Sequence, residues 1–316
     1  MLGGARGERP GFGTGLAETA RSVLADARHA LSETKLSDAE SVHEVRKAFK
    51  RWRALLRLLR GPIGDPAKRM RAEGRDLMRA LAGARDVQGA LDALDDLAKA
   101  DVALPPRTLD AMRARLGALR TAAESAAFTP ERRDDIARYL DFAELSLKRW
   151  DVERISFDSA ADALTVTYRR ARRLLPDDWQ NAEADHLHDL RRRVVDHRHQ
   201  MELVEPLWPR LAKLWADEAQ RLRNQLGACQ DLAVLTRFVA PHQPLAPWRS
   251  RLMPTIEARR AAHLRNAARL AGRLFAEKPK AFRARLDALW DARRKCRAGK
   301  KADGGQPPSA ADMAAR

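Results

Sequence analysis

Apolar residues recur along this chain every three or four positions, and runs of β-branched residues are missing. That spacing belongs to helices that bury one stripe and leave the rest to solvent. Between residues 43 and 60, Val45, Phe49, Trp52, Leu55, Leu56 and Leu59 fall together at 100° per residue. Proline and glycine punctuate the pattern: "GPIGDP" after Arg60, "LPP" at 104–106, "TP" at 129–130, "PDD" after Leu175 and "APHQPLAP" at 240–247. These stops predict helices over 16–33, 38–60, 66–100, 106–126 and 131–150, then over 156–175, 181–205, 209–238, 246–276 and 279–297. Ser37-Asp38-Ala39-Glu40 has the Ser-x-x-Glu form of a capping box and opens the second of them. A composition dominated by Ala, Leu, Arg and Glu supports the same all-α class.

The pattern occurs twice. A shift of 145 residues places His43 on His188, Arg46 on Arg191, Lys47 on Arg192 and Arg53 on Arg198. Without a gap it also places Lys68 on Lys213, Leu77 on Leu222, Leu81 on Leu226, Asp86 on Asp231, and Arg28 on Arg173. One offset that holds across two helices and their turn implies an internal duplication, with a period too long for a solenoid. The expected organisation is two pseudo-symmetric helical bundles, about 16–150 and 156–297, between a flexible N-terminus (1–15) and a disordered tail (298–316).

Charge then changes the picture. Over 316 residues, Lys and Arg outnumber Asp and Glu by 60 to 43, a formal net charge of +17. Most of the cations are arginine, whose fork suits phosphate oxygens. This balance points to a polyanionic partner. Cys229 and Cys296 lie outside any CxxC pair, so no metal clip or disulfide framework is expected, and a reducing cytoplasm is. No segment approaches ~18 uncharged apolar residues and the first residues lack a signal-like apolar run, so no membrane insertion is expected.

Opposite the apolar stripe of residues 43–60 lie His43, Arg46, Lys47, Lys50 and Arg57, with Arg51 and Arg53 flanking. Glu44 is the one flanking acid, so the face lacks the i,i+4 compensation of an ordinary solvated helix. The next helix carries Lys68, Arg71, Arg75 and Arg79 at helical spacing, continuing through the small residues Ala82 and Gly89, which would admit a neighbouring backbone or an extended ligand. Asp86 is expected to orient Arg85 or a partner arginine, or to make a plain surface ion pair. In the second half, Arg169, Arg172 and Arg173 share a face, as do His188, Arg191, Arg192 and His199, while Val195 and Glu202 stand where the first half has Lys50 and Arg57. Lys213 and Arg223 remain of the second stripe, so anion affinity is expected to favour the first half.

Other chemistries find little footing. His186, His188, His197 and His199 cannot share one ion on a single helix: neighbours two apart point to different faces, and same-face pairs lie ~16 Å apart along the axis. His188-Asp189 resembles the metal-binding dyad of HD-type phosphohydrolases over two letters alone, which leaves a metal-dependent phosphohydrolase acting on polyphosphate or nucleotides as the alternative. There is no phosphate-cradling glycine loop and no nucleophile in recognisable context, so no catalytic residue, metal or cofactor is expected. Trp52 and Phe49 lie on the apolar stripe rather than among the cations, so bases have nothing to stack on; nucleic acid is expected as a non-specific competitor, and a sequence-independent nucleic-acid binder working through backbone contacts is the second alternative.

"DAESVHEVRKAFKRWRALLRLL" and "LAGARDVQGALDAL" in the first half, with "YRRARRLL", "HDLRRRVVDHRHQMELVEPLW" and "LGACQDLAVL" in the second, resemble the CHAD (conserved histidine α-helical domain) family. The resemblance covers nearly all of 16–297 and is to a stand-alone member, without a triphosphate tunnel domain. It implies two four-helix-bundle-like halves around a basic central groove that binds inorganic polyphosphate, with association to polyphosphate granules in the cytoplasm. The anion-contacting positions it implies are His43, Arg46, Lys47, Lys50, Arg51 and Arg53, then Arg169, Arg172, Arg173, His188, Arg191 and Arg192. The helical faces add Arg57, Arg71, Arg75, Arg79 and Lys213. The chain departs from the family pattern at Val195 and Asp196, where a lysine and an arginine are common, and in "RHQME" where "RYxLE" is usual.

Overall fold

The computed structural model describes residues 12–81, 83–99 and 105–302. Eleven α-helices follow one another among them: α1 (Phe12–Ser32), α2 (Asp38–Ile63), α3 (Asp65–Ala80), α4 (Gly83–Lys99), α5 (Pro106–Ala127), α6 (Pro130–Arg149), α7 (Phe157–Arg173), α8 (Ala184–Leu203), α9 (Pro209–Phe238), α10 (Arg249–Leu274) and α11 (Pro279–Ala302). Three short 3-10 turns join them and no strand occurs among the described residues, so the fold is all-α.

The local signals act where expected. At the start of α2 the Ser37 hydroxyl accepts from the Glu40 amide at 3.4 Å, while the Ser37 amide donates to the Glu40 carboxylate at 2.9 Å. Proline opens α5, α6, α9 and α11, where its missing N–H costs nothing. Gly64 turns the chain from α2 into α3 at φ 78°, a left-handed conformation that favours glycine, and its amide donates back to Arg60 O.

Several boundaries differ from the pattern. The single helix expected over 66–100 is two, α3 and α4. Leu81 has left the α-helical conformation, and α4 then takes its own direction onto α9. The N-terminal helix begins at Phe12 rather than 16, because Phe12 packs edge-on against Phe157 and Trp290. Helix α11 runs to Ala302, past the start expected for the tail. The remainder of the two expected flexible ends, 1–11 and 303–316, and the expected small residue Ala82 lie outside the described residues.

Two hydrophobic cores hold the helices, and each draws on both halves of the sequence. The larger unites Phe49, Trp52, Leu55, Leu56 and Leu59 of α2 with Leu164 and Tyr168 of α7, Leu190 and Val194 of α8, and Phe282 of α11. The smaller packs Leu94 and Leu97 of α4 and Met112 of α5 against Leu232 and Leu235 of α9 and Leu252 of α10. The halves are therefore interleaved, α2 on α8 and α4 on α9. Helix α2 is buried on several sides, packing against α1, α3, α7 and α8. A polar clamp fixes it: Tyr139 Oη accepts from Trp52 Nε1 at 3.0 Å and donates to Met70 O at 2.8 Å. Gly74 makes room for that ring, since a Cβ there would meet Tyr139 Oη at 2.6 Å.

Candidate anion-binding site

With so much of α2 buried, four of its cations share a narrow line. Arg46, Lys50, Arg53 and Arg57 follow one another at spacings of four, three and four, which keeps them within about 60° on the helix surface. Arg53 thus belongs to the line rather than to its flank. Other helices bring cations to the same line: α3 supplies Arg71 and Arg75, α4 supplies Arg85, α8 supplies Arg191, Arg192 and Arg193, and α9 supplies Arg223.

The electrostatics record the crowding. Burial of the Lys50 ammonium among these side chains, then repulsion from Arg223, Arg46, Arg191 and Arg85, lowers it from the ordinary lysine range, while the residue as a whole is exposed. Burial, and then Arg223 and Arg85, lowers Arg191 to about 10 against the pull of Asp231. Burial likewise lowers Arg57 to about 10, with Asp196 opposing. Arg46, Arg53, Arg71 and Arg223 are all shifted down, burial first. Arginine at such values remains charged at neutral pH, so the repulsion persists.

Two carboxylates divide the cluster. Asp196 on α8 lies 2.8 Å from Arg57 Nε and 3.4 Å from Arg193 Nη1, and all three side chains are largely buried. The Arg57 contact is an ion pair without hydrogen-bond alignment, since Nε has no hydrogen-bond partner. Asp231 on α9 lies 3.3 Å from Arg85 Nη2. Burial raises the Asp231 carboxyl, and Arg85 and Arg191 oppose that rise. Gly89 admits Asp231, as a Cβ there would come within 2.9 Å of its Oδ1. The small residue on the expected cationic stripe therefore accommodates a carboxylate. Asp86 does not orient Arg85: it pairs with Arg237 at the surface, at 2.9 Å.

Among the described residues, Lys50, Arg53, Arg71 and Arg191 form no ion pair, and the Nε atoms of Arg53 and Arg191 are buried without a hydrogen-bond partner. Arg46 is committed to the fold on one side, where Nη1 donates to Met78 O and Leu81 O at 3.1 Å and caps the end of α3. Arg191 lies over Gly227, which has no side chain to displace its guanidinium.

The remaining expected positions are elsewhere. Lys47 pairs with Glu44 at 3.0 Å and Arg51 with Asp26 at 2.7 Å, both beside a cleft that also holds Arg198, Glu202 and Glu205. Arg79 lies 3.4 Å from Asp76 and is well exposed. Arg172 Nε donates to Phe275 O and so caps α10, while Arg169, Arg173 and Lys213 are exposed. His43 is exposed and makes no hydrogen bond among the described residues. His188 Nδ1 contacts Gln230 Oε1 at 3.0 Å in a separate cleft with Asp185, Arg237 and Arg260. Further along α8, buried His197 packs against Tyr168, Phe275 and Phe282, and burial pushes its pKa down to about 4. His199 contacts Glu202 at 3.1 Å. Among the described residues no group of three His, Cys, Asp or Glu is placed to hold a metal ion, and no helix is long and apolar enough to cross a membrane.

The sequence pattern does not single out Arg193, leaves Arg223 as a remnant, and runs the second cationic stripe towards Arg85 without placing it among the binding residues. Arg85 carries one signal, its place beside the repeated Asp86/Asp231 position. Nothing in the periodicity shows that α4 and α9 pack together and carry Arg85 and Arg223 to the α2 line.

Comparison with known proteins agrees with this architecture. The chain resembles the crystal structure of the CHAD domain from the plant Ricinus communis with a TM-score of 0.56 and 17% identity, over 89% of this chain and 93% of that one. It resembles PptA from Streptomyces chartreusis with a TM-score of 0.59 and 17% identity, over 84% of this chain and 99% of that one. No curated protein matches. A family profile described as CHAD domain matches residues 17–240, a span from α1 to just past α9 that includes every helix contributing to the cation cluster, and the chain belongs to that family.

Proposed function

We propose that this protein binds inorganic polyphosphate along the cation line of α2, through a basic groove walled by α3, α4, α8 and α9, and carries out no catalysis of its own. The observation that carries the reading is the unpaired set Lys50, Arg53, Arg71 and Arg191, brought together from three helices and both sequence halves. Crowded, partly desolvated cations that outnumber the carboxylates near them, Asp196 and Asp231, and make no direct ion pair are costly in the free protein. An anion placed among them relieves the repulsion and satisfies the idle N–H groups, and the release of counterions from the ligand adds to the affinity. Among the described residues the cation line has no aromatic platform beside it: Phe49 and Trp52 are buried, so bases gain no stacking. Membership of the CHAD family supports the same ligand, and association with polyphosphate granules follows from it as part of the proposal.

The test is a competition titration, in which labelled long-chain polyphosphate is displaced by unlabelled polyphosphate, duplex DNA, RNA, heparin or ATP across a salt series. The reading expects displacement by polyphosphate at far lower phosphate concentration than by any other polyanion. Equal displacement by all of them would reduce the interaction to net charge. Phosphate release that needs Mg²⁺ or Mn²⁺ and stops on chelation would instead establish the phosphohydrolase alternative.

A further inference from the structure

A second cationic cleft opens between α9 and α10, with a volume of about 340 Å³, the size of an ordinary ligand cleft. Its walls carry three arginines, Arg221 of α9 with Arg269 and Arg273 of α10, and three side-chain amides, Asn224, Gln225 and Asn266. Leu270 is the one apolar lining residue, and no carboxylate lines the cleft among the described residues. On α10 the spacing of Asn266, Arg269 and Arg273 keeps all three on one face.

The amides distinguish the cleft from an ordinary basic patch, because each amide oxygen is already taken by a donor of the protein. Asn224 Oδ1 accepts from Gln220 Nε2 at 2.6 Å and from Arg223 Nη1 at 3.1 Å. Gln225 Oε1 accepts from His263 Nδ1 at 2.8 Å, and Asn266 Oδ1 accepts from Arg269 Nη2 at 2.7 Å. The donor ends of the three amides, their NH₂ groups, have no partner among the described residues. Arg221 is paired at 2.7 Å with Glu218, which does not line the cleft. The Arg273 guanidinium makes no ion pair or hydrogen bond among the described residues. The lining side chains thus present donors and positive charge with no open acceptor, a chemistry that selects an oxyanion.

Arg223 ties the cleft to the cation line of α2. Its guanidinium belongs to the group around Lys50 and Arg191, and it also donates to Asn224 in the cleft wall. We infer that the α9–α10 cleft is a second phosphate subsite, which takes the continuation of a polyphosphate chain leaving the α2 line at Arg223. The inference rests on the polyphosphate reading above and extends its binding path. A chain already held at the central cluster reaches the cleft at high effective concentration, so even modest contacts there add to affinity. A short oligophosphate held at the central cluster gains nothing from the cleft, and the protein therefore favours long chains.

Calorimetric titration of the full chain with tripolyphosphate and with long-chain polyphosphate, at one salt concentration, tests the subsite. Arg269→Gln with Arg273→Gln should weaken long-chain binding about five- to tenfold, the sum of two exposed charge contacts, and leave tripolyphosphate affinity and Tm unchanged. Asn266→Asp keeps the acceptor for Arg269 but sets a carboxylate in the cleft, so it should weaken the long chain in the same selective way. Arg79→Gln with Lys213→Gln removes equal charge elsewhere and should cost the long chain less than about threefold. Long-chain affinity that survives both cleft variants overturns the inference and leaves the ligand assignment standing. An equal loss for the two ligands overturns it as well, because chain length would then not be read at the cleft. Failure of the wild type to bind either ligand would remove the ligand assignment, and the subsite with it.

Discussion

Helices α2 and α8 are aligned by the 145-residue offset in the sequence, yet they contribute differently to the site. The α2 line reads Arg46, Lys50, Arg53, Arg57, and the matching α8 positions read Arg191, Val195, Arg198, Glu202. Of those four, Arg191 joins the cation cluster unpaired, Val195 is apolar, and Arg198 is paired with Glu202 at 2.9 Å. Off that line, α8 supplies Asp196, the carboxylate that holds Arg57 and Arg193. Helix α2 carries the cations, and α8 supplies part of the wall that positions them. The departures at Val195 and Asp196, which in sequence look like losses of affinity, are in the structure a change of role. Asp196 makes a closely packed set of arginines compatible with a folded chain.

The difference between the helices can be broken or sharpened. Asp196→Asn should have the largest effect, because it leaves Arg57 and Arg193 buried beside each other without a counter-charge. Breaking a largely buried pair from one side costs about 2–3 kcal/mol here, read as a fall in Tm of about 5 °C or more in thermal denaturation. The variant that remains folded should bind polyphosphate at least as tightly as the wild type, since a repelling carboxylate is gone. Val195→Lys should have a smaller effect in the opposite sense. The position is half-buried, so a lysine can lay its stem along the helix and extend its ammonium to water, restoring the cation found in α2. A few-fold gain in polyphosphate affinity is expected, with a steeper salt dependence and little change in Tm.

The fold was largely legible because its signals are local. The Ser37 capping box, the prolines that open helices and the apolar stripe of α2 each act within a few residues. The break between α3 and α4 was not, since Ala80–Leu81 carries no proline and the break follows from α4 packing on α9. The site was legible to the extent that periodicity defines it. Spacing alone places Arg46, Lys50 and Arg57 on one face, and the 145-residue offset leads to Arg191. Spacing cannot say which arginines are already occupied. Arg172 looks as available as Arg191 on a helical projection, yet it caps α10 through Phe275 O, an acceptor 103 residues away. Arg51 and Lys47 are taken up by Asp26 and Glu44. Tertiary packing decides which cations are left for a ligand.

Two pairs of cations, all four on expected binding faces, distinguish placement from charge most directly. Arg53→Gln with Arg191→Gln removes two unpaired residues of the cluster, whereas Arg79→Gln with Lys213→Gln removes two exposed cations outside it. Both variants lower the net charge by the same amount. The measurement is long-chain polyphosphate affinity for the two variants side by side at one salt concentration. The account predicts a loss of more than about tenfold for the first pair and less than about threefold for the second, in keeping with desolvated charge contacts set against screened ones. Equal losses would show that net charge alone is read, and that the cation line of α2 is not the binding site.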